Sequence, residues 1–228
     1  MGRVKLIPHP EYHIRGGDLY LRVDKTIFRI HSYFFVRESQ YWKDELAGPV
    51  SPGDEQLKKG MDEQNAIIIE EEKPEDFAQF LWVFYNNSFG NFSKATREDW
   101  SVILHFAAKW GFKEVKELAV RHLESMDDIG LVDRIQLYQA NKVAEKYLFT
   151  HYVKLAERKE MLGLEEARAL GMETYVTIQQ ARERLRAQVT RDQPMISPIR
   201  MELKTKDISD IVASTFNIKL EDPQPNGA

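Results

Sequence analysis

Between Asp18 and Trp42 the chain permits few backbones. Leu19, Leu21 and Val23 alternate with polar residues, Asp24-Lys25 follows, and Ile27, Phe28 and Ile30 resume the apolar pattern. Alternation on both sides of a two-residue polar break predicts a hairpin with one buried face. Directly afterwards come His31-Ser32, then Tyr33, Phe34, Phe35 and Val36, then Ser39 and Trp42. That run predicts an aromatic helix from Ser32 to Glu45. The hairpin therefore delivers the chain straight into the helix that must cover it.

The rest of the first half repeats this economy. Gly48, Pro49, Pro52, Gly53 and Gly60 break a polar loop. Ala66 to Ile69 reads as a short strand, and Glu70, Glu71 and Glu72 read as its solvated end, because alternate side chains of an extended segment diverge. Pro74 suits the first turn of a helix, Glu75 and Asp76 suit its positive end, and Phe77, Phe80, Leu81 and Phe84 fall on one face. Thr96 to Asp99 has the form of a capping box before a stripe of Ile103, Phe106, Ala107 and Trp110. After Gly111, a further stripe runs through Val115, Leu118, Ala119, His122 and Leu123. Strands first and helices afterwards predict an α+β fold. The expected core is Phe28, Ile30, Phe34, Trp42, Ile68, Phe77, Phe84, Phe106 and Trp110.

From about Asp127 strand signals give way to helical ones. Val132, Ile135, Tyr138, Val143 and Ala144 predict one long helix, followed by another from Tyr152 to Met161. Gly163 and Gly171 bound a short helix, and a charged helix runs from Met172 to Gln188. Pro194, Pro198 and the closing residues read as linker and tail, with an amphipathic helix at Ile208, Ile211, Val212 and Phe216. The expected organisation is an arm over 1–13, a domain over 14–125, a helical extension over 126–190, and a linker and tail over 191–228.

Composition narrows the chemistry. The chain has 43% hydrophobic and 30% charged residues, no cysteine and a formal net charge of -4. Without cysteine there are no disulfides, thiolate metal sites or thiol nucleophile, and a reducing compartment fits. The charge offers no case for direct nucleic-acid binding. No apolar run reaches the ~20 residues of a membrane span. The opening residues lack the apolar core of a signal peptide, so an intracellular protein is expected.

His31 beside Ser32 or Ser39 lacks a Gly-x-Ser-x-Gly elbow and an orienting acid, so His31 is expected to bond the backbone at the strand-to-helix turn. His9, His13, His105, His122 and His151 form no metal-ligand spacing. No cofactor or small-molecule substrate is expected. Trp82 and Tyr85 lie off the Phe77–Phe84 stripe and are candidates for a partner surface.

The order of Asp18, an apolar strand, Phe28-x-x-His31, an aromatic helix, and Ser39-x-x-Trp42 resembles the opening of a BTB/POZ domain. The resemblance covers roughly Tyr12 to Ser125. HSYFFVRES and the EDW…AAKWGF…VKELAV region look like a fungal sub-type, and Leu131 to Arg184 looks like the helical extension that follows it. The resemblance implies a short β-sheet packed with a cluster of helices, and a non-catalytic module for protein binding and self-association. Asp18, Phe28, His31, Ser39 and Trp42 would be its fold-defining residues. In dimer-forming relatives the Asp works with a basic residue directly after the His. Here Ser32 stands there, so the resemblance does not carry that charged pocket over. Met61-Asp62-Glu63 is similar to the apolar-x-Glu motif with which some members grip a cullin scaffold of a ubiquitin ligase. Met61 and Glu63 are accordingly the candidate contacts of an alternative adaptor role.

Overall fold

In the computed structural model, which describes residues 5–47, 59–87, 91–187 and 204–220, the hairpin forms as its alternation requires. Strand β2 (Leu19–Val23) pairs antiparallel with β3 (Thr26–Ile30), from Leu19 opposite Ile30 to Val23 opposite Thr26. Asp24 takes the left-handed conformation the two-residue turn needs, at φ 51°, which a short polar side chain tolerates. Leu19, Leu21 and Val23 are buried on one face with Phe28 and Ile30.

Two more strands complete a mixed sheet. The first, β1 (Ile7–His13), runs parallel to β3, and β4 (Ile67–Ile69) runs parallel to β2, giving the order β1-β3-β2-β4. The segment expected to be an N-terminal arm over 1–13 supplies an edge strand. Its prolines hid this. Pro8 and Pro10 break the alternation, and the register slips between Pro8 and His13, where a bulge absorbs the extra residues. Ile68 is a second correction. It pairs with Arg22, so it points to the outward face and is 51% exposed, while Ile69 turns inward. With a period of two, one step of register exchanges core for surface.

The expected single helix after the hairpin is two. Helix α1 (Ser32–Glu38) stops at Ser39, whose extended backbone at φ -131° and ψ 120° redirects the chain into α2 (Gln40–Ala47). The break fixes which aromatics face inward. Phe35 and Trp42 are fully buried, whereas Phe34, expected in the core, is only half-buried. Helices α3 (Pro74–Tyr85), α4 (Arg97–Lys109) and α5 (Lys113–Glu124) follow, with Pro74 in the first turn of α3 and the Thr96–Asp99 capping box formed at α4. Phe77, Phe80, Phe106 and Trp110 meet Phe35 and Trp42 in one aromatic core. Phe84 is half-buried at its margin, 6.0 Å from Phe35.

These elements belong to a compact unit over Met1–Asp127, and a second unit takes Asp128–Ala228. The second unit is all-helical among its described residues: α6 (Leu131–Ala140), α7 (Glu145–Glu157), α8 (Leu164–Leu170), α9 (Met172–Arg186) and α10 (Thr205–Phe216). The long helix expected through Ala144 breaks at Asn141-Lys142, where Lys142 is left-handed at φ 49°. Arg182 is buried and donates to the Leu155 and Glu160 carbonyls at 2.9 and 3.0 Å, satisfying acceptors at the end of α7. The amphipathic helix expected within the linker and tail is α10, which packs into this unit. Ile208, Val212 and Ala213 are buried, and the Phe216 ring stacks on Tyr152 at 4.1 Å.

Candidate functional site

The strand-to-helix turn gathers most of the residues singled out by sequence. Asp18 accepts from the Ser32 backbone N–H at 2.7 Å and from its hydroxyl at 2.6 Å. The carboxylate therefore caps α1 in place of His31, whose side chain makes no cap bond. Burial alone would raise the Asp18 carboxyl, but the two Ser32 bonds outweigh it and hold it below its ordinary value. The residue that departs from the basic pattern is thus the one that engages Asp18.

His31 was expected to bond the backbone. Instead its backbone N–H donates to the Tyr85 hydroxyl at 2.9 Å, and its Nδ1 lies 3.2 Å from the same oxygen. Tyr85 is consequently a brace between α3 and the turn, packed at 5.4 Å against Phe34. Trp82 packs edge-on against Phe92 at 5.3 Å and is also half-buried. The more exposed aromatics are elsewhere. On α1 and α2, Tyr33 is 61% and Tyr41 51% exposed, with Val36 exposed between them in sequence. The Arg37 guanidinium lies 5.0 Å from the Tyr33 ring centre, holding that ring on the surface. Their signal in the sequence was spacing: Tyr33 and Val36, three apart, fall off the face that carries Phe35.

Beneath this surface the scaffold is rigid. The Ser39 hydroxyl donates to the Trp110 carbonyl at 2.5 Å and accepts from the Trp42 N–H at 3.2 Å, so one buried group caps α2 and ties it to the end of α4.

Met61 and Glu63 are both exposed on a tight turn. Asp62 builds it, its Oδ1 accepting from the Gln64 and Asn65 N–H groups at 2.9 and 2.8 Å. The bonds to Asn65 and Gln64 keep the Asp62 carboxyl below its ordinary value. The turn is anchored to the sheet by the Tyr20 N–H, which donates to the Gly60 carbonyl at 2.7 Å. Gly60 sits at φ 78° with Leu19 Cδ1 only 2.7 Å from where a Cβ would stand, so glycine is required there. The loop over 48–58 lies outside the described residues.

Glu72 corrects the reading of the acidic run as solvated. Glu71 turns the backbone at φ 63°, and the Glu72 side chain, only 9% exposed, accepts from His105 Nε2 at 3.0 Å and from Lys109. Burial pushes this carboxyl up, but Lys109 and His105 together pull it below its ordinary value. The group lines a cleft of about 520 Å³. Ser101 on the same cleft donates to the Arg97 carbonyl, not to His105, so no nucleophile and base are aligned there. His9 and His13 do not converge either. His9 Nδ1 accepts from the Glu11 and Tyr12 N–H groups, and its ring stacks on Phe28 at 4.8 Å. Among the described residues no group of three His, Asp or Glu could hold a metal ion, and no helix is long and apolar enough to cross a membrane.

In the second unit, Leu164, Met172 and Tyr175 line an apolar groove of about 430 Å³ along α8 and α9. Met172, which lines it, is 77% exposed.

No known protein family, curated protein or solved structure matches this chain.

Proposed function

We propose that this chain is a non-catalytic protein-interaction and self-association module of the BTB/POZ type, acting inside the cell as a scaffold. One observation carries the reading. Tyr33, Val36 and Tyr41 are presented to solvent from two short helices whose other faces are locked into the aromatic core. Exposed aromatics on a rigid base lose little side-chain entropy on association and serve as interface anchors. The order of hairpin, capped turn and aromatic helix supports the family assignment. The mechanism is burial of matched surface, with an interface on the order of 1,600 Å² between two copies related by a two-fold axis. Because Asp18 is engaged by Ser32 of its own chain, self-association does not rely on a charged pocket at that position.

Sedimentation of the full chain tests this. A dimer at micromolar concentration that dissociates in a Tyr33→Glu, Tyr41→Glu variant is the expected result. A wild-type chain that stays monomeric overturns it.

A second reading rests on the Met61 turn. An exposed apolar residue 55% accessible, with Glu63 two positions on and a backbone held by Asp62, matches what a cullin-binding adaptor must offer. Truncating such an anchor typically costs at least ~2 kcal/mol, or some thirtyfold in affinity. Met61→Ala with Glu63→Ala should abolish binding to a purified cullin N-terminal region and leave self-association unchanged. Absence of wild-type binding removes the adaptor reading and leaves the scaffold.

A further inference from the structure

The outward face of the sheet is a differently built surface. In the hairpin register Tyr20 stands opposite Arg29 and Arg22 opposite Ile27, and directly paired residues share a side. Leu19, Leu21 and Val23 fill the inward side, so these four lie on the other, where Ile27 is fully covered and Tyr20, Arg22 and Arg29 are half-buried around it. The neighbouring strands extend both rows. His13 of β1 joins Arg29, while Pro8 of β1 and Ile68 of β4 flank Ile27 and Arg22. His13 packs edge-on to the Tyr20 ring at 6.4 Å, and the Arg29 guanidinium lies 5.3 Å from that ring's centre.

The charges on this face are unbalanced. Arg22 and Arg29 occupy diagonal positions on adjacent strands, about 7–8 Å apart at the backbone. Among the described residues neither guanidinium forms an ion pair, and Glu11 of β1 and Asp24 of the turn pair with neither. Arg29 directs its Nε to the Gly17 carbonyl at 2.8 Å. Arg22 has no such outlet: its Nε is shielded from water and meets no acceptor. A carboxylate set against the outer edge of the Arg22 guanidinium, away from the shielded Nε, accepts from its two terminal N–H groups at once. The positive excess is local, because the whole chain carries a formal charge of -4. Half-exposed Ile68, in the same row as Arg22, adds an apolar contact that a bare phosphate backbone has no group to meet.

We propose that this face docks an acidic segment of a partner protein, its carboxylates on Arg22 and Arg29 and an apolar side chain on Ile68. The site uses the outer side of β1–β4 and none of α1 or α2, so it stands or falls separately from self-association.

A fluorescein-labelled peptide of four Glu-Glu-Leu repeats, titrated with the full chain and followed by anisotropy, tests it. Binding is expected with Kd below about 100 µM, weakening about tenfold or more on Arg22→Gln and on Arg29→Gln, and falling with added salt. The Gln-for-Glu peptide should not bind, and Tyr33→Glu should leave binding intact. Amide shifts at Tyr20, Arg22 and Ile68 of the wild-type chain on adding peptide give a check that needs no variant. The proposal is overturned if the acidic peptide fails to bind, if both arginine variants bind it as the wild type does, or if the shifts fall elsewhere. Tighter binding of a DNA duplex or of phosphatidylserine vesicles at the same arginines also overturns it.

Discussion

Ser39→Ala isolates the joint on which the presented helices rest. Ser39 is 1% exposed, so its hydroxyl is not exchanged for water on substitution. Two groups lose their partner together, the Trp42 N–H at the start of α2 and the Trp110 carbonyl at the end of α4. Loss of an N-cap typically destabilises by about 1 kcal/mol, within a range of 0.5–2. A buried carbonyl deprived of its donor adds about 1–3 kcal/mol. The expected loss is therefore about 2–4 kcal/mol, or about 1–2 M in urea midpoint at a slope near 2 kcal/mol per molar. The assay reads one unit only. All four tryptophans, Trp42, Trp82, Trp100 and Trp110, lie in the first unit, so their fluorescence follows its unfolding and not that of the helical unit. Gln40→Ala is the control, since Gln40 only bonds Asp44 on the exposed side of α2 and should change stability by no more than about 0.5 kcal/mol. A Ser39→Ala midpoint indistinguishable from that control refutes the reasoning.

Phe28 is fully buried, 4.8 Å from both His9 and Phe77 between sheet and helix, so Phe28→Ala should cost about 3–5 kcal/mol in the same urea assay. Asp18→Asn keeps a cap oxygen for Ser32 and should leave the oligomer intact by sedimentation; dissociation would show that the carboxylate reaches a second chain. The Arg158 guanidinium beside Glu166 lowers that carboxyl to about 2 from an ordinary 4.5. A depressed carboxyl stabilises the fold fully above its unfolded value, and the contribution is lost as pH falls from 4.5 toward about 2. Glu166→Gln should accordingly flatten the acid limb of the helical unit's stability, followed by circular dichroism; an unchanged limb would mean the pair does not hold in solution.

The hairpin and the helices were legible because each carries its own period. Leu19, Leu21 and Val23 against Ile30 and Phe28 leave one register with a dry face, and Phe77, Phe80 and Leu81 leave one side of α3 to bury. What escaped was set by contacts distant in sequence. Ser39 breaks the aromatic helix because Trp110, 71 positions on, offers its carbonyl. β1 is a strand despite two prolines because it adds to the edge of a sheet that already exists. Arg182 is buried because the end of α7 presents carbonyls to it. Of the candidate site residues, Met61 and Glu63 lie exposed on a turn. Trp82 and Tyr85 were not placed on an open surface, because a half-apolar ring off the main stripe reads the same whether it meets a partner or a loop of its own chain.

On the proposed function, the first unit separates stability from recognition by face. Its inward residues are committed twice over: Phe35, for example, packs edge-on against both Trp42 and Phe112, leaving α1 no freedom to rotate. Once rotation is forbidden, the opposite side of each element is held in place without contributing to the core, and its side chains are free to meet something else. Tyr33 and Val36 occupy that position on α1, Arg22 and Ile68 on the sheet, and Met61 on the turn pinned by Gly60. The three surfaces differ in chemistry, one aromatic, one cationic with an apolar neighbour, and one a single thioether beside a carboxylate. On the proposed function, the three surfaces act independently, because they occupy different elements and no residue belongs to more than one of them.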